Sequence, residues 1–200
     1  MQLKDVQKCK VQSIDWSGRV VYLGLDLSES NDNTSVAMVA VDDDDEILCE
    51  TVAFIPEGRI DEKNAFEKID YREHIRNGKA IACGDKVIDY AVVEDYILNI
   101  EQKFGVHVQA VGYDRYNALS TAQKLERAGF TTVEIRQHSS TLASPTKLLK
   151  EKILEGQFQY TENRLFEINF QNTRVTYDTN RSAYCNKKRS KGKIDMAVAT

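Results

Sequence analysis

Three aspartates define the chemistry this sequence offers. Asp26 closes the apolar run VVYLGLD, Asp114 follows the run VHVQAVGY, and Asp195 stands near the start of a short apolar helical pattern, KIDMAVA. Both runs read as buried strands, and groups at the carboxyl ends of strands in α/β sheets face the functional crevice. If the two strands are parallel neighbours, their axes lie about 4.8 Å apart and the carboxylates roughly 4–6 Å from each other. At an effective dielectric near 20 each such like-charge pair costs on the order of 3–4 kcal/mol, which calls for a cation between them. Hard oxygen donors with no His or Cys nearby favour Mg²⁺ or Mn²⁺ over zinc. Each acid also has a plainer role. Asp195 complements the dipole of its own helix, Asp114 caps the helix that follows it, and Asp26 stabilises a turn. It is the set of three at the mouth of one sheet that points to metal binding.

Beside Asp195 runs the basic stretch Asn186-Lys187-Lys188-Arg189-Ser190-Lys191-Gly192-Lys193. Its cations suit contact with nucleic-acid phosphates next to the metals, with Arg115 and Lys147 as further candidates; the alternative is a solvated loop. Asp32 and Asp89 are possible auxiliary acids, with turn and helix-cap duties as their simpler roles. Asp42 to Asp45 form an acidic run whose consecutive side chains splay outward, as in a hairpin turn. His74, His107 and His138 are isolated and read as structural. Cys9, Cys49, Cys83 and Cys185 are dispersed, without metal-ligand spacing, and fit reduced, buried thiols. Gly24 suits close backbone approach at its strand.

The elements that must position these residues follow from the apolar pattern. Val20–Asp26, Thr34–Val41 and Ile47–Ile55 form a three-strand antiparallel meander. Residues 56–84 are irregular, with room for a short helix and a loop. Val93, Ile97, Ile100 and Phe104 mark an amphipathic helix stopped by Gly105. A strand over Val106–Tyr113, a helix through Ala118, Ala122 and Leu125, and a strand over Thr131–Gln137 come next. Ser144-Pro145 is a favourable cap and first-turn pair opening a helix to Gly156. A helix over Asn163–Thr173, a hairpin of Arg174–Asp178 with Ser182–Asn186, and the final helix complete the chain. The result is an α/β fold with a mixed central sheet flanked by helices, in which residues 1–19 are a polar lead-in and 20–200 one domain.

Gly24-Leu25-Asp26-Leu27-Ser28, Gly112-Tyr113-Asp114-Arg115 and Gly192-Lys193-Ile194-Asp195 resemble, in order and spacing, the three acidic motifs of the nuclease domain of the tailed-bacteriophage terminase large subunit. Further stretches match: Phe54-Ile55-Pro56-Glu57, Gly84-Asp85-Lys86-Val87-Ile88-Asp89, Gln137 with Leu142 to Lys147, Glu162-Asn163 with Asn172, and Asn186-Lys187-Lys188. The resemblance spans about Val20 to Ala199. It implies an RNase H-like fold and a metal-dependent endonuclease that cuts concatemeric double-stranded viral DNA during genome packaging. Asp26, Asp114 and Asp195 would then be both catalytic and metal-binding, holding two Mg²⁺ or Mn²⁺ ions in the active state. Lys187, Lys188, Arg189, Lys191, Lys193 and Arg115 would contact DNA. Expected partners are the ATPase domain of the same protein, a portal protein and a small terminase subunit, in the cytoplasm of an infected host.

The family's G-x-x-x-x-G-K-[ST] phosphate loop is missing from this sequence, so the chain reads as the nuclease domain without its ATPase, and Arg164 stands where relatives commonly have Pro. With 27 Lys and Arg against 31 Asp and Glu, the net charge of −4 excludes a cationic DNA-coating protein. No apolar run approaches the roughly 18–20 residues of a membrane span, and the first residues lack the apolar stretch of a secretory signal. Three alternatives stay open: a resolvase- or transposase-type nuclease with acids at its strand ends; a sugar-kinase-like ATPase, disfavoured by length; and a packaging docking module in which the acids are dispensable.

Overall fold

The computed structural model describes residues 2–28, 33–178 and 183–200, the side chains at positions 116, 117 and 188 excepted. In chain order, α1 (Leu3–Gln7) and β1 (Lys10–Val11) precede three long strands, β2 (Val20–Asp26), β3 (Thr34–Val41) and β4 (Ile47–Ile55). Helices α2 (Ile60–Glu67) and α3 (Tyr71–Arg76) and strand β5 (Ala80–Ala82) lead to α4 (Tyr90–Leu98) and α5 (Ile100–Phe104). Then come β6 (His107–Tyr113), α6 (Arg115–Arg127), β7 (Thr132–Glu134), α7 (Ser139–Glu155), β8 (Phe158–Thr161) and α8 (Arg164–Asn172). An antiparallel pair, β9 (Val175–Tyr177) and β10 (Ala183–Cys185), precedes the last helix, α9 (Asp195–Ala199).

The main sheet runs β1-β8-β4-β3-β2-β6-β7, with β5 paired to the far half of β4. Only the pairings made by β3 are antiparallel; β2–β6, β6–β7, β4–β8, β4–β5 and β1–β8 are parallel. The carboxyl ends of β2, β6 and β4 therefore open at one edge. This is the mixed, helix-flanked sheet of an RNase H-like fold.

Strict two-residue alternation sorts the core onto the two faces of this sheet. On β4, Leu48, Val52 and Phe54 join a core with Val93, Ile97, Ile100 and Leu125 from α4, α5 and α6. Cys49, Ala53 and Ile55 point the other way, into a core with Tyr71, Ile153, Phe158, Phe166 and Met196. On β2, Val21, Leu23 and Leu25 belong to the first face, which leaves Gly24 and Asp26 on the second, where α9 packs.

The N-terminal segment is part of this body. Val6 and Cys9 are buried in the second core and Trp16 in the first, while Lys10 and Val11 pair with Tyr160 and Thr161. Too few apolar residues carry these contacts for a periodicity to show. Residues 56–84 hold two helices and a strand, where sequence suggests one short helix and a loop. The helix before Gly156 begins five residues earlier than the Ser144-Pro145 signal: His138 caps it, its Nδ1 accepting from the Ser140 amide at 3.2 Å, and Pro145 sits inside. The acidic run is the expected turn, with Asp42 Oδ1 accepting from the amides of Asp44 and Glu46 at 3.1 and 2.9 Å. Asp32, most of the polar cluster 28–33, and the 179–182 connection lie outside the described residues.

All four cysteines are free thiols, Cys9, Cys49 and Cys83 buried and Cys185 half-buried. Burial pushes the Cys49 thiol up to about 12, against a hydrogen bond with Thr200 that favours the thiolate. Since the thiolate is the reactive form, native protein treated with iodoacetamide at pH 8 is expected to label first at Cys185 and not at Cys49. Peptide mass spectrometry reads the order; equal labelling of the two would contradict it.

Candidate metal centre

β2 delivers Asp26 at its last position, 4 % exposed, and α9 delivers Asp195 at its first, 2 % exposed. Two carboxylates drawn this far out of water need a compensating charge, and Lys187 supplies one. Its ammonium lies 2.6 Å from both oxygens of Asp26 and 3.1 Å from Asp195 Oδ1. Burial works against the charge on Lys187, but the Asp26 and Asp195 carboxylates outweigh it and raise the pKa above that of an ordinary lysine. The pair thus already binds a cation, one carried by the chain itself.

Asp114 directly follows β6. Gly24 pairs with Gly112 and Leu25 with Tyr113 across the parallel β2–β6 ladder, so Asp114 follows the register level with Asp26 on the adjoining strand. Among the described residues no three His, Cys, Asp or Glu side chains converge on one metal position. The structure unites Asp26 with Asp195 and sets Asp114 one strand away.

Backbone contacts fix where Asp195 sits. Asn169 of α8 accepts from the Met196 amide at 3.1 Å, and Asn172 donates to the Lys193 carbonyl at 3.2 Å. Gly192 passes so near Asn172 that an added Cβ would meet its amide nitrogen at 2.7 Å. At the other end of α9, an added Cβ on Gly24 would lie 1.8 Å from the Ala199 carbonyl oxygen. The first turn of α9 is therefore tied to α8 and its last turn lies on β2.

A second polar group near the centre escaped the sequence reading. Lys63 pairs with Glu67 at 2.9 Å, both nearly buried, and Tyr71 donates to Glu67 while accepting from Asn33 Nδ2 at 2.9 Å. Burial first, then the Glu67 carboxylate, push the Tyr71 hydroxyl far above its usual range, with Asp195 adding to the effect. Tyr71 is therefore a fixed neutral donor beside the centre. Lys63 and Glu67 do show an i, i+4 charge pair in the sequence, but that spacing ordinarily marks an exposed helix face.

Of the basic residues, Arg189 and Lys191 are exposed, Lys193 is half-buried and Arg115 stands exposed at the start of α6. Lys187, grouped by sequence with the phosphate contacts, turns inward instead; the side chain at Lys188 lies outside the described residues. Lys147 reaches Glu151 at 3.7 Å on an exposed helix face. Asp89 caps α4 by accepting from the Ala91 amide at 2.9 Å. His107 pairs with Glu101 at 3.2 Å, and His74 is buried. No described helix is long and apolar enough to cross a membrane.

A family model described as "Terminase large subunit, endonuclease domain" matches residues 1–200. Among solved structures, the HK97 bacteriophage large terminase superposes with a TM-score of 0.90 at 21 % identity, over 100 % of this chain and 41 % of its own. This chain thus spans about two fifths of that protein. The large terminase nuclease of thermophilic phage G20c, solved with bound magnesium, gives a TM-score of 0.59 at 11 % identity, covering 99 % of this chain and 93 % of its own. The large terminase nuclease domain of Thermus phage P74-26 gives 0.58 at 10 % identity, with coverages of 98 % and 90 %. No curated protein matches the chain.

Proposed function

This chain belongs to the terminase large subunit endonuclease-domain family, and from that premise we propose that it hydrolyses phosphodiester bonds of double-stranded DNA with the help of divalent metal, cutting concatemeric viral DNA during packaging. The observation that carries this reading is the convergence of Asp26 and Asp195, two buried carboxylates 169 positions apart in the chain, on one cation. Their hard oxygen donors fit Mg²⁺ or Mn²⁺, and the G20c nuclease structure with magnesium supports the same choice.

Asp26, Asp195 and Asp114 are the residues that would hold the metal. A divalent ion there would lower the pKa of bound water and neutralise charge on the leaving oxygen. The chain's own residues do the rest. Arg189, Lys191 and Arg115, exposed near the carboxylates' end of the sheet, bind the DNA backbone through its phosphates, which makes binding salt-dependent and largely indifferent to sequence. Asn169 and Asn172 orient Asp195 through the backbone of α9. In the full-length protein an ATPase domain, a portal protein and a small terminase subunit are the partners that present the DNA, in the host cytoplasm.

A supercoiled-plasmid nicking assay tests this reading. The chain should nick with Mn²⁺, stop on addition of EDTA, and lose activity in Asp114→Asn while keeping its circular dichroism spectrum. Unchanged nicking by that variant removes Asp114 from the centre. No nicking by the wild-type chain at any Mn²⁺ or Mg²⁺ concentration argues for the packaging docking role, in which the acids are dispensable.

A further inference from the structure

We propose that Lys187 is a permanent cation of this centre, occupying one of the two positions that a pair of metal ions would fill, so that the site takes a single divalent ion. The proposal rests on the metal-dependent reading above and specifies its stoichiometry. The Lys187 ammonium is held by both oxygens of Asp26 and by Asp195 Oδ1, at 2.6, 2.6 and 3.1 Å. That is the bridging place between the two carboxylates, where an ion shared by them would sit.

Charge balance favours the same count. Asp26, Asp114 and Asp195 bring three negative charges; one divalent ion and one ammonium match them, whereas two ions and the ammonium would overshoot by two. For Lys187 to make way, its side chain would have to leave two buried carboxylates, and the backbone that carries it is clamped. Ser190 Oγ donates to the Asn186 carbonyl at 2.8 Å and accepts from the Arg174 amide at 3.1 Å, and the Lys191 amide donates to the Asn172 carbonyl at 3.2 Å. The turn from Lys187 to Arg189 is thereby fixed to the end of α8, the same helix that holds Asp195. A lysine on such a mount is a fixture of the site, unlike the exposed Arg189 and Lys191 beside it.

Counting bound Mn²⁺ tests this directly. The intact chain, titrated with Mn²⁺ alone and followed by the loss of free-ion electron paramagnetic resonance signal, should bind one ion. Lys187→Gln, which leaves room and removes the positive charge, should bind two; Lys187→Arg, which keeps the charge, should bind one. Two ions in the wild-type chain overturn the proposal while leaving the metal-dependent reading intact. One ion in Lys187→Gln, with its affinity unchanged, does the same. No ion in the wild-type chain removes the metal-dependent reading and this proposal with it. If Lys187→Gln does not fold by circular dichroism, the wild-type and Lys187→Arg counts still decide.

Discussion

Asp195→Asn is expected to lower Mn²⁺-dependent nicking at least about 100-fold, beyond the 10–100-fold typical of losing an outer-shell partner of a metal site, while the chain stays folded. The fold survives because the carboxylate of Asp195 does not anchor α9. The Asn169 contact to the Met196 amide and the Asn172 contact to the Lys193 carbonyl do that through the backbone, and asparagine has nearly the same shape as aspartate. Nor is a buried charge stranded, since Lys187 keeps both oxygens of Asp26 at 2.6 Å. Thermal melting should therefore shift little, and the loss should appear in the rate. Nicking within a few-fold of wild type would take Asp195 out of the centre. Loss of the folded spectrum would instead make its carboxylate a structural group.

What the sequence conveys about this centre, and what it withholds, follows from the range of the interactions. Asp26 and Asp114 stand out because each ends an apolar run, and an apolar run followed by a lone carboxylate is a local signal. Asp195 is legible for the same reason, as an acid opening a short apolar helix. Lys187 is not. It lies among lysines and arginines with nothing to mark it, and its bond to Asp26 joins residues 161 positions apart. Only the folded chain shows that one member of the basic stretch faces inward while Arg189 and Lys191 face out. The same limit hides β8, a four-residue strand whose buried Phe158 and Tyr160 offer just one alternation, and β1, which has meaning only as its partner. Pro145 shows a local signal being overridden. Proline at a first helical turn is a sound expectation, but His138 caps an earlier start and the helix carries the proline within it.

Gly24→Ala is expected to harm the centre more than any other single-methyl change on β2 or β6. Gly24 needs its missing side chain for space, on the face of β2 that α9 covers. A methyl group there would lie 1.8 Å from the Ala199 carbonyl oxygen and 2.9 Å from its carbonyl carbon, both backbone atoms that no rotamer change can withdraw. Either β2 bows or α9 moves off the sheet. Because Gly24 is two residues before Asp26 and α9 carries Asp195, either response separates the two carboxylates. Overpacking of this kind costs about 1–3 kcal/mol, which for a chain of this size lowers the melting temperature by roughly 2–12 °C. Gly112 provides the control, since it pairs with Gly24 in the β2–β6 ladder. An added methyl there meets the side chain of Ile135 at 3.2 Å, and a side-chain carbon can yield by a few tenths of an ångström. Gly112→Ala should therefore melt within a few degrees of wild type and retain most of its nicking. Gly24→Ala should lose both stability and Mn²⁺ binding, the latter measured at a temperature where the variant is still folded. Equal behaviour of the two alanine variants would mean that α9 rests on β2 loosely, and that the position of Asp195 is set by its ties to α8 alone.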